Sequence, residues 1–267
     1  MSLGVFFILL LVGSISGIVA GILGIGGGIL IVPVIVYLLQ HQSTQLLHLQ
    51  HIAVGTSFAI MIFTGISNAR AQHRHHTIDW SMFRKIIGGI VLGTLIGSLF
   101  AAQLSEKVLR IFFIIFLYAM AIKMWMQPPM PDAHQTSQKL IFSVGTGIGL
   151  LSSWLGIGGG MMTVPFLNYC GVNLHKSIGT SALVTLPLAI AGTLSYLIAG
   201  WNVQGLPEYT IGFIYLPALL ILACCTMIFA PVGVRIAKHL SENTKRYAFI
   251  VLVMILALDM TRKFLWQ

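Results

Sequence analysis

The chain has 267 residues, of which 57% are hydrophobic and 8% charged, and its mean hydropathy is +0.93. A soluble domain carries about 25% charged residues, so this composition excludes a soluble globular protein. The net charge of +9 does not point to nucleic acid, because Lys and Arg stand mostly between apolar runs, where they orient a membrane protein.

Long apolar segments are predicted to be helices at 4–23, 52–69, 86–102, 108–126, 139–155, 178–199, 209–230 and 246–261. About 20 helical residues cross a bilayer core of about 30 Å, so the chain is expected to be a multi-pass membrane protein. Segment 4–23 has the apolarity of a secretory leader. No Lys or Arg precedes it, and its counterpart 139–155 is internal, so it is expected to be retained rather than cleaved. Two shorter helices are predicted at 29–40 and 161–171.

The short helices follow a phrase that occurs twice. Gly24-Ile25-Gly26-Gly27-Gly28, with Val32-Pro33 after it, recurs 132 residues later as Gly156-Ile157-Gly158-Gly159-Gly160 with Val164-Pro165. The match extends to Gly55-Thr56-Ser57 and Gly179-Thr180-Ser181, and to Leu104-Ser105-Glu106 and Leu240-Ser241-Glu242. The chain therefore divides into two transmembrane repeats, 1–130 and 131–267, forming one integral membrane unit. Glycine-broken helices at matching places in two halves are the best sequence pointer to a transporter's binding site.

Helix 29–40 rises only about 18 Å, short of the core. It either completes a broken crossing with 4–23, giving eight spans, or returns as a hairpin, giving ten. With the hairpin, Arg70, Arg74, Arg84, Lys85, Lys123, Lys139, Lys176, Arg235, Lys238, Lys245 and Arg246 fall on one side, and only Lys107, Arg110, Arg262 and Lys263 on the other. The broken crossing leaves no bias. The positive-inside rule therefore favours inverted repeats, with loops 70–85 and 231–246 cytoplasmic and 200–208 outside. The expected fold is all-α: a polytopic helical bundle of two inverted repeats, broken or short at the two Gly-Ile-Gly-Gly-Gly turns.

Each candidate site residue has a plain structural role to set beside a functional one. Gly26, Gly27 and Gly28, with Gly158, Gly159 and Gly160, present consecutive N–H groups before a helix start, which suits an anion; a tight turn explains them equally. No Lys-Ser or Lys-Thr follows, as a P-loop requires, and no βαβ context surrounds them. Pro33 and Pro165 are read as structural. Thr56, Ser57, Thr180 and Ser181 stand where they either cap the following helix or donate to a substrate. Asn68 and Gln72 add polar groups further along. Gly13, Gly17 and Gly21, and Gly89, Gly93 and Gly97, recur every fourth residue, the spacing of close helix packing in lipid. His41, His48, His51 and the run His73-Arg74-His75-His76 read as solvated loops without metal-ligand spacing, and Cys170, Cys224 and Cys225 as small apolar residues. Lys123 and Asp259 are expected to snorkel or pair at the interface.

The doubled glycine phrase with its Val-Pro and the two Gly-Thr-Ser segments resemble the TauE/SafE family, the sulfite exporter-like membrane transporters of bacterial inner membranes. The resemblance covers nearly the whole chain. It implies transport of a small sulfur-containing anion such as sulfite, sulfoacetate or thiosulfate, coupled to an H+ or Na+ gradient, by a multi-pass protein of the bacterial inner membrane. No cofactor, metal or enzymatic activity is expected: the residues show no metal-ligand spacing, and the apolar segments contain no His and only Asp259 at one edge. Asn68 and the His-rich segment 73–76 depart from the family pattern. The residues leave two rival readings open, an intramembrane enzyme and a membrane scaffold or assembly factor.

Overall fold

The computed structural model of the chain describes residues 3–24, 26–42, 48–126 and 136–265. Ile25, the side chain of His41 and the expected repeat boundary at 130/131 lie outside the described residues. Ten helices make up nearly all of the rest. They are α1 (Leu3–Leu23), α2 (Gly28–Gln42), α3 (Leu49–Arg74), α4 (Trp80–Ala101) and α5 (Glu106–Trp125), then α6 (Gln138–Leu155), α7 (Gly160–Tyr169), α8 (Leu174–Ala199), α9 (Leu216–His239) and α10 (Glu242–Leu265). Six of them, α1, α3, α4, α5, α8 and α9, are long and apolar enough to cross a membrane. The glycine phrases precede the two short helices, α2 with 15 residues and α7 with 10.

The predicted helix start at 209 is corrected by the structure. Residues 210–215 form an antiparallel hairpin, β1 (Thr210–Ile211) and β2 (Ile214–Tyr215). Tyr209 and Gly212 both take positive φ, 63° and 56°, which a right-handed helix cannot hold. The helix begins after Tyr215 with Pro217 in its first turn, a position where the missing N–H costs nothing.

The ten helices pack by exchange between the halves. α1 runs along α9 and α4 along α6, so the first helix of each repeat lies on the fourth of the other. α3 lies on α8 and α5 on α10, each against its own counterpart, while α2 packs on α3 and α7 on α8. This reciprocity is what two copies related by a two-fold axis produce.

Small residues make the exchange possible. A Cβ on Gly17 would lie 2.9 Å from the Cα of Thr226 on α9, and one on Gly97 would lie 2.8 Å from the Cα of Leu150 on α6. Lipid provides no hydrophobic push between helices, so close backbone approach and dispersion hold these pairs together. The every-fourth glycines thus lie on α1–α9 and α4–α6 contacts, as their spacing predicts. α3 is the most enclosed span, with Ile52, Phe58, Ile60 and Met61 fully buried.

Candidate functional site: two glycine turns in contact

Each glycine turn sends the chain back along the helix it has just left. Gly26 and Gly27 take φ of 74° and 80°, and Gly156 and Gly159 take 67° and 71°, conformations that favour glycine. Ser16 donates a hydrogen bond to the carbonyl of Gly27 at 3.0 Å. Ser16 stands seven residues before the end of α1, about 10 Å along the helix, so the chain has reversed before α2 begins. In the second repeat a Cβ on Gly159 would lie 3.4 Å from Ser152 Oγ and 3.6 Å from Ile148 Cγ2, which is the same reversal alongside α6. Pro33 and Pro165 lie inside α2 and α7, where each leaves the carbonyl four residues earlier, Ile29 or Met161, without its usual donor.

The two turns meet. A Cβ on Gly26 would lie 3.4 Å from the Cα of Gly158, and one on Gly28 would run into the carbonyl of Gly156. Around this contact the paired hydroxyls act reciprocally. Ser57 Oγ donates to the Gly156 carbonyl at 2.8 Å, and Ser181 Oγ donates to the Gly24 carbonyl at 3.3 Å. Thr56 Oγ1 accepts from the N–H of Tyr215 at 2.9 Å, and Thr180 Oγ1 accepts from the N–H of Asp79 at 2.8 Å. All four side chains are fully buried. Tyr215 and Asp79 are the residues that open α9 and α4, so each threonine holds the start of the other repeat's fourth helix.

Capping, one of the two expected roles of these hydroxyls, is corrected. α3 begins at Leu49 and α8 at Leu174, so the pairs stand two turns inside their helices. Asn173 caps α8, its Oδ1 accepting from the N–H of Lys176 at 2.9 Å. The Thr-Ser pairs join elements far apart in sequence instead.

The glycine backbone keeps donors in reserve. The N–H groups of Gly26, Gly27 and Gly28, and those of Gly158 and Gly160, have no hydrogen-bond acceptor among the described residues, although all five residues are buried. A buried unpaired N–H is costly, and these stand where α2 and α7 begin, at the positive ends of both helices. Thr185 adds a hydroxyl that donates to the Gly158 carbonyl at 2.9 Å. Its counterpart 124 residues earlier is Met61, so the two sides of the contact differ in chemistry. Asn68 stands behind the first turn, its Nδ2 donating to the Ala20 carbonyl at 3.1 Å, the same carbonyl that receives the Gly24 N–H at 2.9 Å.

Ser16 and Thr185 are site residues that the sequence reading does not single out, because neither is duplicated. His51 is a further correction: it is not in a solvated loop but 1% exposed inside α3, with Nε2 3.0 Å from the Ala101 carbonyl and its ring packed on Phe213. The unforeseen hairpin carries Phe213 over it. Asp259 pairs with Lys263 at 2.6 Å, and Lys263 lies over the Tyr37 ring at 4.4 Å, while Lys123 is exposed.

A helical membrane protein of two exchanged repeats, with broken helices meeting at buried N–H groups, has the build of a membrane transporter. The chain belongs to the sulfite exporter TauE/SafE family, whose family model matches residues 9–260. A probable membrane transporter protein of Haemophilus influenzae is 36% identical over 256 residues, covering 95% of this chain and 97% of the relative. A probable membrane transporter protein of Methanocaldococcus jannaschii is 28% identical, covering 95% and 94%. The probable membrane transporter protein YunE of Bacillus subtilis is 28% identical, covering 73% and 79%. No solved structure matches the chain.

Proposed function

We propose that this transporter is a secondary carrier of a small anion of the sulfur oxyanion or organosulfonate class, working by alternating access across the bacterial inner membrane. The observation that carries this reading is the set of buried N–H groups of Gly26, Gly27, Gly28, Gly158 and Gly160, at two helix starts, that have no acceptor among the described residues. Donors aimed from helix N-termini favour an anion, and no cofactor or metal enters the scheme. Thr56, Ser57, Thr180 and Ser181 surround the same place and would exchange their carbonyl and N–H partners for substrate oxygens as the halves part. In the conformation described here the two turns touch, which corresponds to a closed waist.

The reciprocity of the fold supports alternating access. The repeats are inverted across the membrane, so one threonine bond lies towards each face: Thr180 to Asp79 on the cytoplasmic side, Thr56 to Tyr215 on the outer side. Breaking one while keeping the other opens the waist to one face. An H+ or Na+ gradient supplies the driving force. The test is a thermal-shift and calorimetric screen of sulfite, thiosulfate, sulfoacetate and sulfate on purified protein. Saturable stabilisation by one or more sulfur anions, and none by chloride, supports the reading; equal response to all salts contradicts it.

A further inference from the structure

The two glycine turns repeat a backbone but not its surroundings. Gly27 and Gly159 are equivalent, 132 residues apart, and so are Ala20 and Ser152. A Cβ on Gly27 would lie 3.4 Å from Ala20 Cβ, and one on Gly159 would lie 3.4 Å from Ser152 Oγ. A hydroxyl thus stands beside the second turn where the first has a methyl group. The same exchange recurs in the short helices, where Ile31 of α2 matches Thr163 of α7. The Thr163 N–H bonds the Gly159 carbonyl at 2.9 Å, which fixes Thr163 one turn beyond the glycine. Its Cα–Cβ bond leans back towards the start of α7, as in any α-helix. Ser152 and Thr163 are fully buried, and neither Ser152 Oγ nor Thr163 Oγ1 has a hydrogen-bond partner among the described residues. Thr185 differs from them: its hydroxyl is engaged with the carbonyls of Gly158 at 2.9 Å and Ser181 at 3.1 Å.

Buried hydroxyls without partners are costly. The fold does not require them, because Ala20 and Ile31 stand at the matching places of the first turn with no hydroxyl at all. We infer that Ser152 and Thr163 are specificity-determining donors of the anion site, which makes the waist chemically one-sided, with the oxygens of the substrate read on the second repeat's turn. The two hydroxyls stand with the N–H groups of Gly158 and Gly160 at the positive end of α7, a setting that favours an anion over a cation. A hydroxyl donating to an ionised oxygen makes a short, strong hydrogen bond. A site with buried donors also rejects a ligand that leaves them unpaired. The class of ligand is therefore a polyatomic oxyanion, such as the oxygen-bearing end of sulfite, thiosulfate or a sulfonate.

The inference rests on the anion-carrier reading. Its test is calorimetric titration of purified protein with sulfite and thiosulfate, beside thermal unfolding of the same preparations. The variants are Ser152→Ala, which copies the residue found at the first turn, Thr163→Val, Thr163→Ser and Ile31→Val. Ser152→Ala and Thr163→Val should each weaken anion binding about ten-fold or more, the value of one hydrogen bond to a charged group. Their melting temperatures should stay level or rise, because each loses only an unpartnered polar group. Thr163→Ser keeps the hydroxyl and should bind like wild type, and Ile31→Val, the matching change in the first repeat, should leave affinity unaltered. Wild-type affinity in both Ser152→Ala and Thr163→Val overturns the inference and leaves the hydroxyls to buried water. An equal loss in Ile31→Val also overturns it, since packing and not hydrogen bonding would then set affinity. If Thr163→Val does not fold, Ser152→Ala decides alone. A wild-type protein that binds no sulfur anion would instead remove the carrier reading itself.

Discussion

Ser57 on α3 donates a 2.8 Å hydrogen bond to the carbonyl of Gly156, a residue 99 positions later in the other repeat. Ser181 returns the bond to Gly24. Each third helix therefore secures the glycine turn of the opposite half. Removing a donor leaves a buried carbonyl unpaired, which costs about 1–3 kcal/mol. Ser57→Ala and Ser181→Ala should each lower stability by that amount in thermal or denaturant unfolding of purified protein. Two variants as stable as wild type would show that the carbonyls find other donors.

The threonine bonds should behave as latches of opposite sense. Thr180→Val releases the N–H of Asp79, and Thr56→Val releases that of Tyr215. On the inverted topology, Thr180→Val biases the waist towards the cytoplasm and Thr56→Val towards the outside. A cysteine replacing Met61, whose side chain lies beside Gly26 at the contact of the turns, should gain modification from opposite faces in the two backgrounds. Gain from the same face in both would contradict the latch assignment. Anion affinity should also fall roughly ten-fold or more in each variant, the value of one hydrogen bond to a charged group.

Topology itself is open to a direct check. Gln204→Cys, in the segment before the hairpin, should react with impermeant maleimide from outside the cell, and Ile78→Cys, between α3 and α4, should not. Reaction of both from one side would require parallel repeats and dissolve the alternating scheme.

The helix seams offer a contrast within one helix. A Cβ on Gly149 of α6 would lie 2.8 Å from the N of Thr94 on α4, whereas a Cβ on Gly147 would meet nothing within 4 Å. Gly149→Ala should destabilise the protein by about 1–3 kcal/mol through overpacking. Gly147→Ala should be neutral or stabilising by up to about 1 kcal/mol, the helix-propensity difference. Melting temperatures of the two variants decide the point, and equal losses would mean that the seam has been misplaced.

Much of this architecture was legible in the sequence because duplication adds signal to weak patterns. The Gly-Ile-Gly-Gly-Gly phrase, the Thr-Ser pairs and the every-fourth glycines each placed a feature that the fold brings into use. Helix starts were less legible. The Thr-Ser pairs looked like caps because Leu49–Val54 carries Gln50 and His51, polar residues that tertiary contacts bury. The 210–215 hairpin was missed because Ile211, Phe213, Ile214 and Tyr215 continue the apolar run of α9, and only the positive φ at Tyr209 and Gly212 breaks it. Contacts made by unduplicated residues, such as Ser16 to Gly27 and Thr185 to Gly158, depend on folding back through space and leave no periodic trace.

The central claim is that the touching glycine turns form the anion site. A Cβ on Gly26 would lie 2.7 Å from Thr185 Cγ2 and 3.0 Å from Met61 Sδ, so Gly26→Ala places a methyl group in the waist and strains a left-handed backbone. The decisive measurement is radiolabelled sulfite and thiosulfate flux in proteoliposomes, wild type beside Gly26→Ala, with unfolding curves recorded on the same preparations. The account predicts saturable wild-type flux, and its loss in a Gly26→Ala protein that still unfolds cooperatively. Undiminished flux in the variant, or wild-type flux no greater than that of protein-free vesicles, would contradict it.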